Sequence, residues 1–163
     1  MEEKFAISIY VCYKPGVLVR IAQTFARRGY NVDSLVVSPA HNTNFSRITV
    51  VVQGVPSSYD QILRQLNKLV DVVHAASHPS ADIVDREMAL FKVRAKPDQR
   101  AEIFQIVEVF RAKTVDITDQ SLVIETTGDS LKIDALEKLL EPMGLVEMVR
   151  SGKLIMKRGL EET

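Results

Sequence analysis

One cysteine, Cys12, in 163 residues excludes an intramolecular disulfide and favours a reducing compartment. Neither sign of charge is in excess: Lys+Arg and Asp+Glu number 21 each, so no global field recruits nucleic acid or an anionic membrane. No apolar run approaches the length of a membrane span. The acidic opening Met1-Glu-Glu-Lys-Phe5 runs straight into a strand pattern, unlike a signal peptide. The expectation is a soluble, cytoplasmic protein. Gly-x-Gly-x-x-Gly and Gly-x-x-x-x-Gly-Lys runs are missing, which leaves no loop for a dinucleotide or nucleotide. His41, His74 and His78 have no cysteine or carboxylate at metal-ligand spacing, and Cys12 has no histidine near it in sequence. Carboxylates are scattered, and the group Asp82, Asp85 and Glu87 fits a solvated junction. No metal site and no independent catalytic site is expected.

What is present is a folded chain, 46% hydrophobic and 26% charged, with a pattern that repeats. Phe5, Ile7, Ile9 and Val11 alternate as in a half-buried strand. After Pro15-Gly16, residues Val17, Leu18, Ile21, Ala22 and Phe25 share one helix face, and Gly29 is placed as its C-terminal cap. Asn31 to Ser38 and Phe45 to Gln53 read as strands around a polar loop. Ser58 and Gln61 resemble a capping box before a stripe of Tyr59, Ile62, Leu63, Leu66, Leu69 and Val70. Asp71 to Ala76 closes a β-α-β-β-α-β unit.

The same order returns after the polar passage from Ser77 to Arg86. Glu87 to Ala95 predicts a strand, and Pro97-Asp98 starts a helix carrying Ile103, Ile106, Val107 and Phe110. Lys113 to Thr118 and Ser121 to Thr127 flank a hairpin turn at Asp119-Gln120. Asp129 or Ser130 caps a helix with Ile133, Leu136, Leu139 and Leu140, and Leu145 to Arg150 is the sixth strand. An extra strand follows at Lys153 to Lys157. The fold class is α+β: two tandem ferredoxin-like βαββαβ units, residues 1–77 and 87–163, joined by a linker at 78–86. A single larger α/β sheet is the alternative. Units this small leave one sheet face and the edge strands poorly covered, so self-association is expected. RNA readers of this fold stack bases on aromatics. The strand Phe45-Ser-Arg-Ile-Thr-Val-Val-Val52 has none in its interior, and its Val and Thr suit protein packing.

The Pro-Gly turn carries the strongest ligand signal. Backbone N–H groups of Gly16, Val17 and Leu18 at a helix start suit a small carboxylate. Asn31, at the far end of that helix, has an amide for both an ammonium and a carboxylate. A helix terminus contributes only about 0.3–1 kcal/mol to an exposed charge, so an interface must bury the ligand further. The plain alternative is a tight strand–helix turn with no ligand.

Lys14-Pro-Gly-Val-Leu18, Phe25-Ala-Arg-Arg-Gly-Tyr-Asn31, Ser46-Arg-Ile-Thr49 and Leu69-Val-Asp-Val72 resemble the ACT domain of acetolactate synthase small regulatory subunits. The second half continues the resemblance with Arg86-Glu-Met-Ala-Leu90, Ile103 to Arg111, Val115-Asp-Ile117 and Arg150-Ser-Gly152. The resemblance implies an N-terminal ACT domain, a C-terminal ACT-like domain and no catalysis on this chain. It implies a large catalytic partner subunit that carries thiamine diphosphate, a divalent metal (Mg) and FAD, and that makes the precursors of valine, leucine and isoleucine. It further implies a homodimer or higher homo-oligomer, with valine or a related amino acid bound where two ACT domains meet. Tyr13, Lys14, Pro15, Gly16, Val17 and Leu18 of one protomer and Asn31 of its neighbour would hold that effector. Tyr13 departs from the short polar residue usual in the family, which implies an altered choice or strength of effector. A stand-alone ACT-type sensor acting on another protein is the competing expectation, although no helix-turn-helix or basic arm is present.

Overall fold

The structure, a computed structural model, describes residues 3–163; Met1 and Glu2, the start of the acidic opening segment, lie outside the described residues. The chain divides into two compact units. The first holds the described residues up to Val84 together with Gly152–Thr163, and the second is Asp85–Ser151.

In the first unit β1 (Glu3–Cys12), α1 (Val17–Arg27), β2 (Asn31–Pro39), β3 (Phe45–Gly54), α2 (Tyr59–Asn67) and β4 (Val72–Ser77) follow one another. Their antiparallel sheet has the order β2-β3-β1-β4. Register places Ile7 opposite Val50 and Ile9 opposite Ile48, so both rows point to one face. Ile21 and Phe25 of α1 and Ile62 and Leu66 of α2 close the core over that face. Each such fully buried side chain is worth about 1.5–3 kcal/mol. Gly29, at φ +71°, stops α1 as its position predicts, with its N–H on the Ala26 carbonyl at 3.1 Å.

Two local expectations fail here. Ser58 makes no side-chain cap for α2; its hydroxyl donates to the Val55 carbonyl at 2.7 Å and accepts from the Tyr30 hydroxyl. The phenol, packed edge-on against Phe5 and Phe25, has taken the oxygen that a capping box needs. Helix α2 also ends at Asn67, so Val70 stands exposed and Asp71 lies in a turn ahead of β4.

The second unit is built on β5 (Ile83–Arg94), α3 (Arg100–Val109), β6 (Lys113–Ile117), β7 (Ser121–Gly128), α4 (Ser130–Leu140) and β8 (Leu145–Arg150), in the sheet order β6-β7-β5-β8. Phe91, Val93, Leu122, Ile124, Ile103, Ile133, Leu136 and Leu140 form its core, while Leu139 remains exposed. Asp129 caps α4, accepting the Lys132 N–H at 2.9 Å. Strand β5 starts at Ile83, four residues earlier than Glu87 suggested. Asp85 and Glu87 occupy inward positions of the alternation, which hides the strand behind charge. Arg150 neutralises the buried Glu87 carboxylate and also reaches Asp134 at 2.6 Å. Burial works against the Arg150 charge, but these two partners outweigh it and raise the guanidinium pKa. Ser151 exchanges hydrogen bonds with Met88, its N–H donating to the carbonyl at 2.9 Å and its hydroxyl accepting the N–H at 3.0 Å.

The last segment carries β9 (Leu154–Lys157), and residues 152–163 group with the first unit. Arg158 N–H meets the Asp82 carbonyl at 2.8 Å, and Arg47 Nη1 donates to the Thr163 main-chain oxygen at 3.1 Å. Arg47 belongs to the β3 row that faces away from the helices, with Thr49 and Val51. Opposite it lie Ser8 and Tyr10 of β1. Ser8, Thr49 and Val51 are all buried. The face that small size was expected to leave bare is thus covered in part by the chain's own tail.

Candidate ligand-binding site

The turn that opens α1 is held from both sides. Cys12 N–H donates to the Asp71 carbonyl at 2.9 Å, and Tyr13 N–H donates to the Asn44 carbonyl at 2.8 Å. Gly16 then takes φ +83° and ψ −8°, a left-handed conformation that a side chain disfavours. It is the N-cap of α1 and supplies no side-chain acceptor, and the first turn contains no acidic residue. The leading N–H groups of a helix have no acceptor within it, and the dipole adds positive potential there. The end of α1 therefore presents donors that no side chain of its own helix caps.

Charge gathers around the same turn. Arg20 Nη1 lies 2.7 Å and Lys14 Nζ 3.4 Å from the Asp71 carboxylate. Val17 is buried in the core, while Tyr13, Lys14, Pro15 and Leu18 are exposed around the turn. Tyr13 is 69% exposed, so its phenol is available at the mouth rather than spent in packing. Five of the seven expected residues, Tyr13, Lys14, Pro15, Gly16 and Leu18, thus share one exposed turn, with the Val17 side chain turned into the core. Asn31 does not join them. It is exposed at the start of β2, opposite Gln53, and α1 separates it from Gly16. Eleven helical residues span about 16 Å, too far for one small molecule to touch both ends.

Sequence reasoning passed over Asp71. Its only signal was an acid inside an apolar run, and its partners at 14 and 20 are met through folding. His78, weighed in the sequence only as a metal ligand, has a contact that folding alone creates: its Nε2 lies 2.8 Å from Ser8 Oγ. Burial lowers its pKa, with Lys157 and His74 adding to the fall and Asp82 opposing it. Among the described residues no group of three or more His, Cys, Asp or Glu is placed to hold a metal ion, and no helix is long and apolar enough to cross a membrane.

Two family models cover the chain in order. An acetohydroxyacid synthase small subunit-like ACT domain matches residues 7–74, and the small subunit of acetolactate synthase matches residues 86–159. The acetolactate synthase small subunit of Mycolicibacterium smegmatis is 43% identical over 153 residues, covering 94% of this chain and 90% of its own. That of Mycobacterium leprae is 40% identical over 153 residues, with coverage of 94% and 90%. The crystal structure of the small subunit from Thermotoga maritima superposes with a TM-score of 0.86 at 38% identity, covering 98% of this chain and 99% of that one.

Proposed function

Since the chain belongs to the family of acetolactate synthase small subunits, we propose that it is the regulatory, non-catalytic subunit of a thiamine diphosphate-dependent acetolactate synthase in branched-chain amino acid biosynthesis. It binds and activates a catalytic large subunit, on which thiamine diphosphate, Mg and FAD reside. It also confers feedback inhibition by valine or a related amino acid. The observation that carries the feedback reading is the left-handed Gly16 at the start of α1, a helix end with no side-chain cap and no acid in its first turn.

The effector's α-carboxylate meets the Val17 and Leu18 amides of one copy, and Asn31 of a second copy holds its polar groups. Both ends of α1 then serve one ligand only where two copies meet. Strand β2 supports such a meeting. It is an edge strand, and its Val32, Leu35 and Val37 are exposed beside an unpaired backbone. A homodimer or higher homo-oligomer follows. Effector binding shifts the contact between copies and so the hold on the catalytic subunit, with a coupling of about 1–3 kcal/mol. Tyr13 brings a phenol to the mouth and selects among branched side chains.

Co-purification with the catalytic subunit, followed by acetolactate assays with and without valine, leucine and isoleucine, tests the reading. Activation of the catalytic subunit and inhibition by at least one of the three are expected. A complex that forms and is activated, yet ignores all three, removes the effector part.

A further inference from the structure

Asp71 is a nearly buried acid, only 9% exposed, in the turn between α2 and β4. Burying a carboxylate is costly unless its charge is paired, and the two partners of Asp71 come from either side of Gly16. Lys14 precedes the glycine by two residues, and Arg20 follows it by one helical turn. The main-chain oxygen of Asp71 also fixes Cys12, where β1 ends. One residue therefore ties the strand end, the turn and the second turn of α1 together.

The glycine itself has no comparable support. A Cβ built on Gly16 meets nothing within 4 Å, so no side chain packs over the open side of this residue. What restrains it is a chain of bonds. The Arg20 N–H donates to the Gly16 carbonyl at 3.2 Å, and the Arg20 guanidinium is clamped by Asp71. Electrostatics point the same way. The two cations are exposed alike, but the Arg20 pair is short and the Lys14 pair long, 2.7 Å against 3.4 Å. Asp71 thus holds Arg20 in place but leaves the Lys14 ammonium free to turn toward an incoming carboxylate.

We propose that Asp71 is the positioning residue of the Gly16 turn, setting through Arg20 and Lys14 the geometry in which the α1 amides receive an effector's carboxylate. This rests on the effector reading above and deepens it. Asp71 touches no ligand; it acts through the two cations.

The test uses Asp71→Asn in the complete small subunit, which keeps the side chain's size and the main-chain oxygen. Hydrogen exchange without any amino acid reads the turn by itself. The hydrogen-bonded amides of Tyr13 and Arg20, on either side of the turn, should exchange about tenfold faster than in the wild type, while β1 and β3 amides keep their protection. In the reconstituted complex, the half-inhibiting concentration of the most effective of valine, leucine and isoleucine should rise by at least about tenfold, with Asp71→Glu recovering part of it. Unchanged exchange at Tyr13 and Arg20 overturns the proposal, and so does protection lost throughout the sheet, which would make Asp71 a general stabiliser. An unshifted inhibition curve overturns it as well. A wild-type complex that ignores all three amino acids refutes the effector reading instead, and the exchange arm still judges the tie to the turn.

Discussion

Gly152 runs its backbone against the Val36 side chain. A Cβ built on Gly152 stands 3.0 Å from Val36 Cγ2 and 3.1 Å from Ser34 Cβ, and its φ is +89°. Both the close approach and the left-handed backbone exclude a side chain, so this glycine seats the tail on β2. Gly152→Ala should lower stability by about 1–3 kcal/mol, measured by urea denaturation. A midpoint equal to the wild type's would mean that the tail does not need this seat.

Gly16 shares the left-handed backbone but not the crowding, since open space surrounds its missing side chain. Aspartate tolerates that conformation better than most residues, so Gly16→Asp should fold. Its carboxylate then occupies the place proposed for the effector's. Inhibition by valine is expected to vanish while activation of the catalytic subunit persists. Inhibition at wild-type concentrations would sink the site assignment.

His78 predicts a pH dependence. Its pKa lies below the ordinary 6.5, chiefly through burial and then through Lys157 and His74, with Asp82 in partial opposition. The unfolded chain therefore binds more protons than the folded one just below 6.5, and stability falls as pH falls through that value. The melting temperature should drop between roughly pH 7 and pH 5.5, and His78→Gln should flatten that drop. An NMR titration placing the His78 ring at or above 6.5 would contradict the assignment.

Glu87 and Arg150 form the paired charge inside the second unit. Glu87→Ala leaves Arg150 with Asp134 alone on a half-exposed rim, so the loss should fall near the lower end for a broken buried pair, roughly 2–3 kcal/mol. Glu87→Met, which fills the space without charge, should lose less in the same denaturation experiment. Equal losses would show that the stranded Arg150 charge, rather than the emptied space, sets the cost.

Much of this architecture was legible in the residues. Alternation in β1, the stripe on α1, the glycine at 29 and the cap at Asp129 are local signals set by local physics. Gly16 and its neighbours could be placed for the same reason. What escaped depended on partners distant in sequence. Ser58 looked like a cap until Tyr30 claimed its hydroxyl. Strand β5 looked shorter because Glu87 faces inward, a position open to an acid only once Arg150 arrives. Asp71 had no visible role until folding brought residues 14 and 20 to it. Asn31 was placed correctly at the far end of its helix, but its distance from Gly16 makes the proposed site a property of two chains.

The tail over the first sheet also bears on how the chain is made. Residues 78–163 are synthesised after β4, and at about 5–20 residues per second they need roughly 4–17 s to leave the ribosome. Throughout that interval Ser34, Val36 and Arg47 lack the tail residues that meet them in the finished molecule. Nascent chains of this protein should therefore bind chaperones until residues 152–163 emerge, and release should coincide with the arrival of Gly152 at Val36.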